Sequence, residues 1–132
     1  MIFHHIGIAV KSIKNELDTY KTIGASEISE VFSDEKLGVN VLFLNLGGVR
    51  LELVEPRREG SPIDNYIKKK VRMYHKCFIV PSLSQIHEQM KVLRAAMVVK
   101  PTPAVAFAGK KVCFYLLPNG DLLEFLEDEH EN

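Results

Sequence analysis

The spacing of apolar and polar positions changes period twice along the first half of this chain, and the same changes then recur. In I-F-H-H-I-G-I-A-V, from Ile2, alternation puts Ile6, Ile8 and Val10 on one side of a strand. His5, Gly7 and Ala9 fall on the other side. Ile13, Leu17 and Tyr20 then recur at helical spacing. Ser12 precedes them, where a hydroxyl can accept the first free backbone N–H groups. Gly24 follows, where a left-handed residue can end the helix. Strand alternation resumes in G-V-N-V-L-F-L from Gly38 and in R-L-E-L-V-E from Arg50. Gly47-Gly48 between them suits a tight hairpin.

The second half repeats the order. H-K-C-F-I-V-P-S-L from His75 parallels H-I-G-I-A-V-K-S-I from His5. Leu83, Ile86, Met90 and Leu93 give the helical spacing, and Ser82 with Gln85 forms a capping-box pattern. K-V-C-F-Y-L-L has Val112 and Phe114 at the places of Val41 and Phe43. After the turn Pro118-Asn119-Gly120, L-L-E-F-L-E (Leu122 to Glu127) takes the place of Arg50 to Glu55. Each half thus reads strand, helix, three strands. The prediction is an α+β fold of paired βαβββ modules in a single domain, 1–132. Module one covers 1–57, a linker helix 58–71 with Pro62 at its start, and module two 72–129.

Four polar residues stand out against this frame. His5 opens an apolar strand on the face opposite branched Ile6, Ile8 and Val10, and His75 opens the matching strand, sharing its face with Cys77 and Ile79. Glu52 lies between Leu51 and Leu53, and Glu124 between Leu123 and Phe125. A carboxylate in an apolar strand is costly unless it is paired or bound to a cation. One alone reads as a salt-bridge partner, and one histidine alone as a core or rim residue. Two of each, in register across a duplication, read instead as ligands of one divalent ion. Imidazole and carboxylate suit Zn, Ni, Co, Mn or Fe. Four protein ligands on an octahedral ion leave two positions for substrate oxygens. Glu55 and Glu127 also repeat, but near strand ends, where solvent satisfies them. His4 and Tyr74 precede the ligand candidates and read as rim packing, with support of the ligands as the alternative. His87, on a helix, and His130, in the acidic tail, receive no role.

The length of 132 residues and 46% hydrophobic content fit one globular domain. Seventeen basic and seventeen acidic residues cancel, which speaks against a nucleic-acid or membrane-surface partner. Lys68-Lys69-Lys70, with Arg57, Arg58 and Arg72, is the local exception. It reads as a solvated face or as a contact for a phosphorylated ligand. Cys77 and Cys113 form neither a metal-type pair nor a disulfide framework, and two reduced thiols suit a cytoplasmic location. No signal peptide is evident, and no apolar run approaches the roughly 20 residues of a membrane-spanning helix.

At these positions the sequence resembles the vicinal oxygen chelate superfamily, also called the glyoxalase/bleomycin resistance/dioxygenase superfamily. The resemblance spans nearly the whole chain and implies paired modules curling into a half-barrel-like cavity around a metal. It implies His5, Glu52, His75 and Glu124 as the ligands. Within the superfamily, H-H-I-G-I-A-V, L-E-L-V-E-P with S-P-I-D-N-Y-I, and M-Y-H-K-C-F-I-V resemble the methylmalonyl-CoA epimerases. That implies a metal-dependent isomerase acting through an enolate on a CoA thioester, with Co, Zn, Ni or Mn as cofactor. The family's habit of pairing also implies a homodimer. Some epimerases carry a glutamate acid/base in the strand matching Gly38–Leu44, where this chain has Val41. Glu52 and Glu124 then become the catalytic candidates, with Asp34-Glu35 as a loop alternative. The family's G-A-H-G segment appears as Ala106-Phe107-Ala108-Gly109, and its H-P-K as Leu117-Pro118-Asn119. A glyoxalase I-like lactoylglutathione lyase and a non-enzymatic small-molecule binder remain the alternatives.

Overall fold

A computed structural model describes residues 1–130. The chain runs β1 (Ile2–Ala9), α1 (Ile13–Thr22), β2 (Phe32–Asp34), β3 (Val39–Leu46), β4 (Val49–Pro56), α2 (Asp64–Lys68), β5 (Met73–Val80), α3 (Leu83–Val92), β6 (Ala96–Pro103), β7 (Lys111–Leu116) and β8 (Leu122–Glu127). This is the α+β class, and each half is a βαβββ module as the periodicity predicts. The residues group into two compact units, His5–Tyr74 and the remainder, in which Met1–His4 joins the chain from His75 onward. Among the described residues no helix is long and apolar enough to cross a membrane.

In the unit His5–Tyr74 the strands lie in the order β2-β3-β4-β1. β1 runs parallel to β4, with Gly7 opposite Glu52, and β3 pairs antiparallel with β4. The β3–β4 turn has two residues, Gly47 at φ 61° and Gly48 at φ 87°. Both left-handed positions of this hairpin are therefore filled by the residue that adopts them without strain. One face of the sheet packs under α1. Ile8, Val10, Ile13, Leu42, Leu44, Leu51 and Leu53 form the core there, joined by Leu17 and Tyr20. α1 ends as its sequence predicts: Gly24 adopts φ 105°, and Ala25 N–H donates to the Tyr20 carbonyl at 2.9 Å.

The second unit orders its strands β5-β8-β7-β6. β5 runs parallel to β8 with Cys77 opposite Glu124, and β7 pairs antiparallel with β8. Val80, Leu83, Ile86, Met90, Cys113, Tyr115 and Phe125 form its core beneath α3. Phe3 meets Phe78 edge-to-face at 5.8 Å between ring centroids, which ties the chain's start to this unit. α3 closes with the same hydrogen-bond pattern as α1, but Arg94 replaces glycine at the left-handed position, at φ 57°.

Three local expectations change. α2 spans only Asp64–Lys68, and Pro62 lies in the turn before it. Ser61 in that turn is buried and donates its hydroxyl to the Gly38 carbonyl at 2.9 Å, so the segment is moored to the β2–β3 connection. Glu55 and Glu127 are not left to solvent. Glu55 Oε1 accepts the Ile13 N–H at 2.8 Å and Glu127 Oε2 the Leu83 N–H at 2.9 Å, so each carboxylate caps its own module's helix. Ser12 shares the work at α1, accepting the Asn15 N–H at 3.3 Å, whereas Ser82 makes no side-chain cap bond.

Candidate metal centre

In each module the helix occupies one sheet face, and the strand residues of opposite parity make up the other. On that face of the unit His5–Tyr74 lie His5, Gly7 and Ala9 of β1, Glu52 and Val54 of β4, and Val41 and Phe43 of β3. Parallel pairing puts Gly7 opposite Glu52, so His5, two residues earlier, stands on the same side of β1 next to that carboxylate. His5 Nε2 lies 3.3 Å from Glu52 Oε1. His5 is 0% and Glu52 5% exposed. Phe43 faces Glu52 directly across β3–β4, and its ring meets the His5 imidazole edge-to-face at 5.4 Å.

The other unit repeats the construction. Cys77 pairs with Glu124, and His75 stands two residues before Cys77 on the same side. His75 Nε2 lies 3.1 Å from Glu124 Oε1, and both side chains are buried. Phe114 faces Glu124 across β7–β8 and meets the His75 ring edge-to-face at 5.3 Å.

Each module thus presents one imidazole nitrogen and one carboxylate oxygen, adjacent and withdrawn from water. Such a donor set fits a borderline divalent ion, which takes nitrogen and oxygen together. Cys113 lies in the helix-side core. Burial, together with the nearby Glu124 and Glu127 charges, pushes its thiol up to about 12, so it stays protonated.

The other residues singled out in the sequence make contacts of their own. His4 packs its ring against Phe107 at 5.3 Å, and Tyr74 against Tyr66 at 4.9 Å. Val41 is buried at the strand position where some epimerases carry a glutamate. Asp34 pairs with Val39, four residues along β3 from Phe43, so it sits well up the sheet from Glu52. Its Oδ1 accepts the Leu37 N–H at 3.0 Å in a turn, and Glu35 is exposed. The acid/base alternative Asp34-Glu35 therefore lies away from the first module's pair. Arg72 makes two bonds of 2.9 Å to the Glu16 carboxylate. Arg57 donates to Ser33 Oγ and Arg58 to the Glu35 carbonyl. The three arginines are thus engaged within the unit His5–Tyr74, and Lys68, Lys69 and Lys70 are exposed. His87 Nδ1 is hydrogen-bonded to the Tyr115 hydroxyl, and His130 is exposed. Phe43 and Phe114 appear in the sequence only as strand landmarks. Their repetition at matching places was the available signal of a part in the site.

The model of the glyoxalase/bleomycin resistance protein/dioxygenase superfamily matches residues 4–114, which include both modules' histidines and Glu52. The chain belongs to this superfamily. Its curated relatives include the mitochondrial methylmalonyl-CoA epimerase of Dictyostelium discoideum, 33% identical over 131 residues, covering 94% of this chain and 76% of that protein. The ethylmalonyl-CoA/methylmalonyl-CoA epimerase of Cereibacter sphaeroides is 29% identical, covering 92% of this chain and 93% of that one. Among solved structures, a variant of Streptomyces coelicolor methylmalonyl-CoA epimerase in complex with 2-nitronate-propionyl-CoA has a TM-score of 0.81 at 21% identity, covering 97% of each chain. That likeness shows the superfamily's fold. The epimerase names belong to the relatives.

Proposed function

We propose that this chain is a metal-dependent epimerase of an acyl-CoA thioester with an acidic α-carbon, and that His5, Glu52, His75 and Glu124 together hold one divalent cation. The observation that carries the reading is the duplicated, buried imidazole–carboxylate pair. It occurs in a chain whose relatives at 33% and 29% identity are methylmalonyl-CoA epimerases. Methylmalonyl-CoA is accordingly the substrate to test first. Bound by these four side chains, Co, Zn, Ni or Mn supplies Lewis-acid polarisation of substrate oxygens and so lowers the cost of removing the α-proton.

The chain's own residues supply the remaining chemistry. His5 and His75 offer Nε2 as neutral donors. Val41 and Phe43 in one module, and Val112 and Phe114 in the other, give the sheet face an apolar character that strengthens each charge interaction. Epimerisation needs a proton removed from one side of the α-carbon and returned on the other. Glu52 and Glu124 are the candidates: a carboxylate that leaves the cation takes the proton at its free oxygen and, once protonated, can return it. The test is proton exchange. Protein loaded with Co(II) and incubated with methylmalonyl-CoA in deuterium oxide should wash deuterium into the α-position, and His5→Ala should lose this activity. Wild-type exchange no faster than in the metal-free control would refute the substrate assignment.

A further inference from the structure

We propose that Phe43 and Phe114 are positioning residues of the candidate metal centre, each holding the imidazole–carboxylate pair of its own module in place. The inference rests on the metal reading above and goes beyond it, because neither phenylalanine offers a ligand atom.

Three observations converge. Each phenylalanine is the direct cross-strand partner of the glutamate: Phe43 opposite Glu52, Phe114 opposite Glu124. Each places its ring edge-to-face against the histidine of that same pair, at 5.4 Å and 66° in one module and 5.3 Å and 81° in the other. The third observation is what duplication kept and what it let drift. On this sheet face Gly7 corresponds to Cys77, Ala9 to Ile79 and Val54 to Leu126, all changed. His, Glu and Phe are kept, with one valine beside them (Val41 and Val112). On the helix face, Leu42 corresponds to Cys113 and Leu44 to Tyr115, while Val10 and Val80, and Leu51 and Leu123, are the same. Phe43 and Phe114 are thus the matching aromatic pair beside the matching His and Glu.

A ring in this position does two things. Its edge-to-face contact sets the rotation of the imidazole, and hence the direction of Nε2. Its bulk also shields one side of the carboxylate from water, so the oxygen facing the histidine stays aimed at it. Edge-to-face pairs of this kind contribute roughly 0.5–1.5 kcal/mol, which corresponds to a roughly 2- to 10-fold change in affinity for a cation held by the aligned pair.

The experiment titrates chelator-treated protein with Co(II), following visible absorption for the ligand set and calorimetry for affinity. Phe43→Leu and Phe114→Leu keep apolar volume and remove the ring. Phe32→Leu is the control: Phe32 pairs with Val41 on the same face and lies 6.5 Å from the Phe43 ring. Expected are roughly 2- to 10-fold weaker Co(II) binding and a changed band envelope in the first two variants. Phe32→Leu should lose comparable thermal stability but keep wild-type Co(II) affinity. Equal affinity in wild type, Phe43→Leu and Phe114→Leu would overturn the positioning role while leaving the metal reading intact. So would a Phe32→Leu loss as large as theirs. Wild-type protein that takes up no Co(II) would overturn both readings together.

Discussion

Glu127→Ala should destabilise the protein far more than Ser82→Ala, although Ser82 occupies the N-cap of α3 by sequence. The Leu83 N–H is the first free donor of that helix, and Leu83 is only 4% exposed, so water cannot easily replace a lost partner. Its acceptor is Glu127 Oε2 at 2.9 Å, while Ser82 makes no side-chain cap bond. A hydrogen bond to a charged acceptor is worth about 1.5–3 kcal/mol, and removal of a cap costs about 0.5–2. These figures describe the same loss, so they are not added, and the expected cost is about 1.5–2 kcal/mol. At this chain length that lowers Tm by roughly 5–10 °C. Glu127→Gln keeps an acceptor and gives up only the charge–dipole part, about 0.3–1 kcal/mol. Ser82→Ala should stay within about 0.5 kcal/mol. The assay is urea unfolding followed by far-ultraviolet circular dichroism, with chelator present so that ligand binding does not mask the difference. If Ser82→Ala cost as much as Glu127→Ala, or Glu127→Ala cost less than about 0.5 kcal/mol, the capping assignment would fail.

Two further outcomes are expected. Arg94→Gly should stabilise the protein by about 0.5–1 kcal/mol in the same unfolding assay, because Arg94 ends α3 in the left-handed region at φ 57°. The Arg72–Glu16 contact should add stability only at higher pH. Its hydrogen bond and charge hold the Glu16 carboxyl below the usual carboxylate range, so its contribution is present above the unfolded value near 4.5 and lost as pH falls through the lower folded value. Because Arg72 is half exposed, Arg72→Met should cost less than about 1 kcal/mol at neutral pH, with the difference shrinking in high salt and vanishing in acid. A Tm difference that persists unchanged at pH 2 would show that lost packing, not charge, explains it.

The candidate site was legible in the sequence to the extent that it depends on parity. Alternation alone separates His5 from Ile6 and Glu52 from Leu53, and the duplication says that His5 and His75, or Glu52 and Glu124, do the same work. Asp34 shows where that reasoning stops. It is acidic and close in sequence to the strands that carry the site, yet pairing puts it four residues along β3 from the level of Glu52. Arg57, Arg58 and Arg72 read in the chain as a solvated face or a ligand contact and turn out to bond within the unit His5–Tyr74. Charge composition cannot reveal this, because a surface arginine and an engaged one have the same sequence.

Sequence by itself determined the α+β class, the two modules, the faces of the strands that carry the site and the identity of both imidazole–carboxylate pairs. Strand parity and helical spacing are local properties, set within a few residues by backbone geometry. Tertiary structure decided the rest. It decided that Glu55 and Glu127 cap helices begun 42 and 44 residues earlier in the chain, that Ser82 does not cap its own, and that a phenylalanine two strands away lies against each histidine. Those facts depend on which strand lies beside which, and at what register. Hydrogen bonding across the sheet fixes that only once the chain has folded.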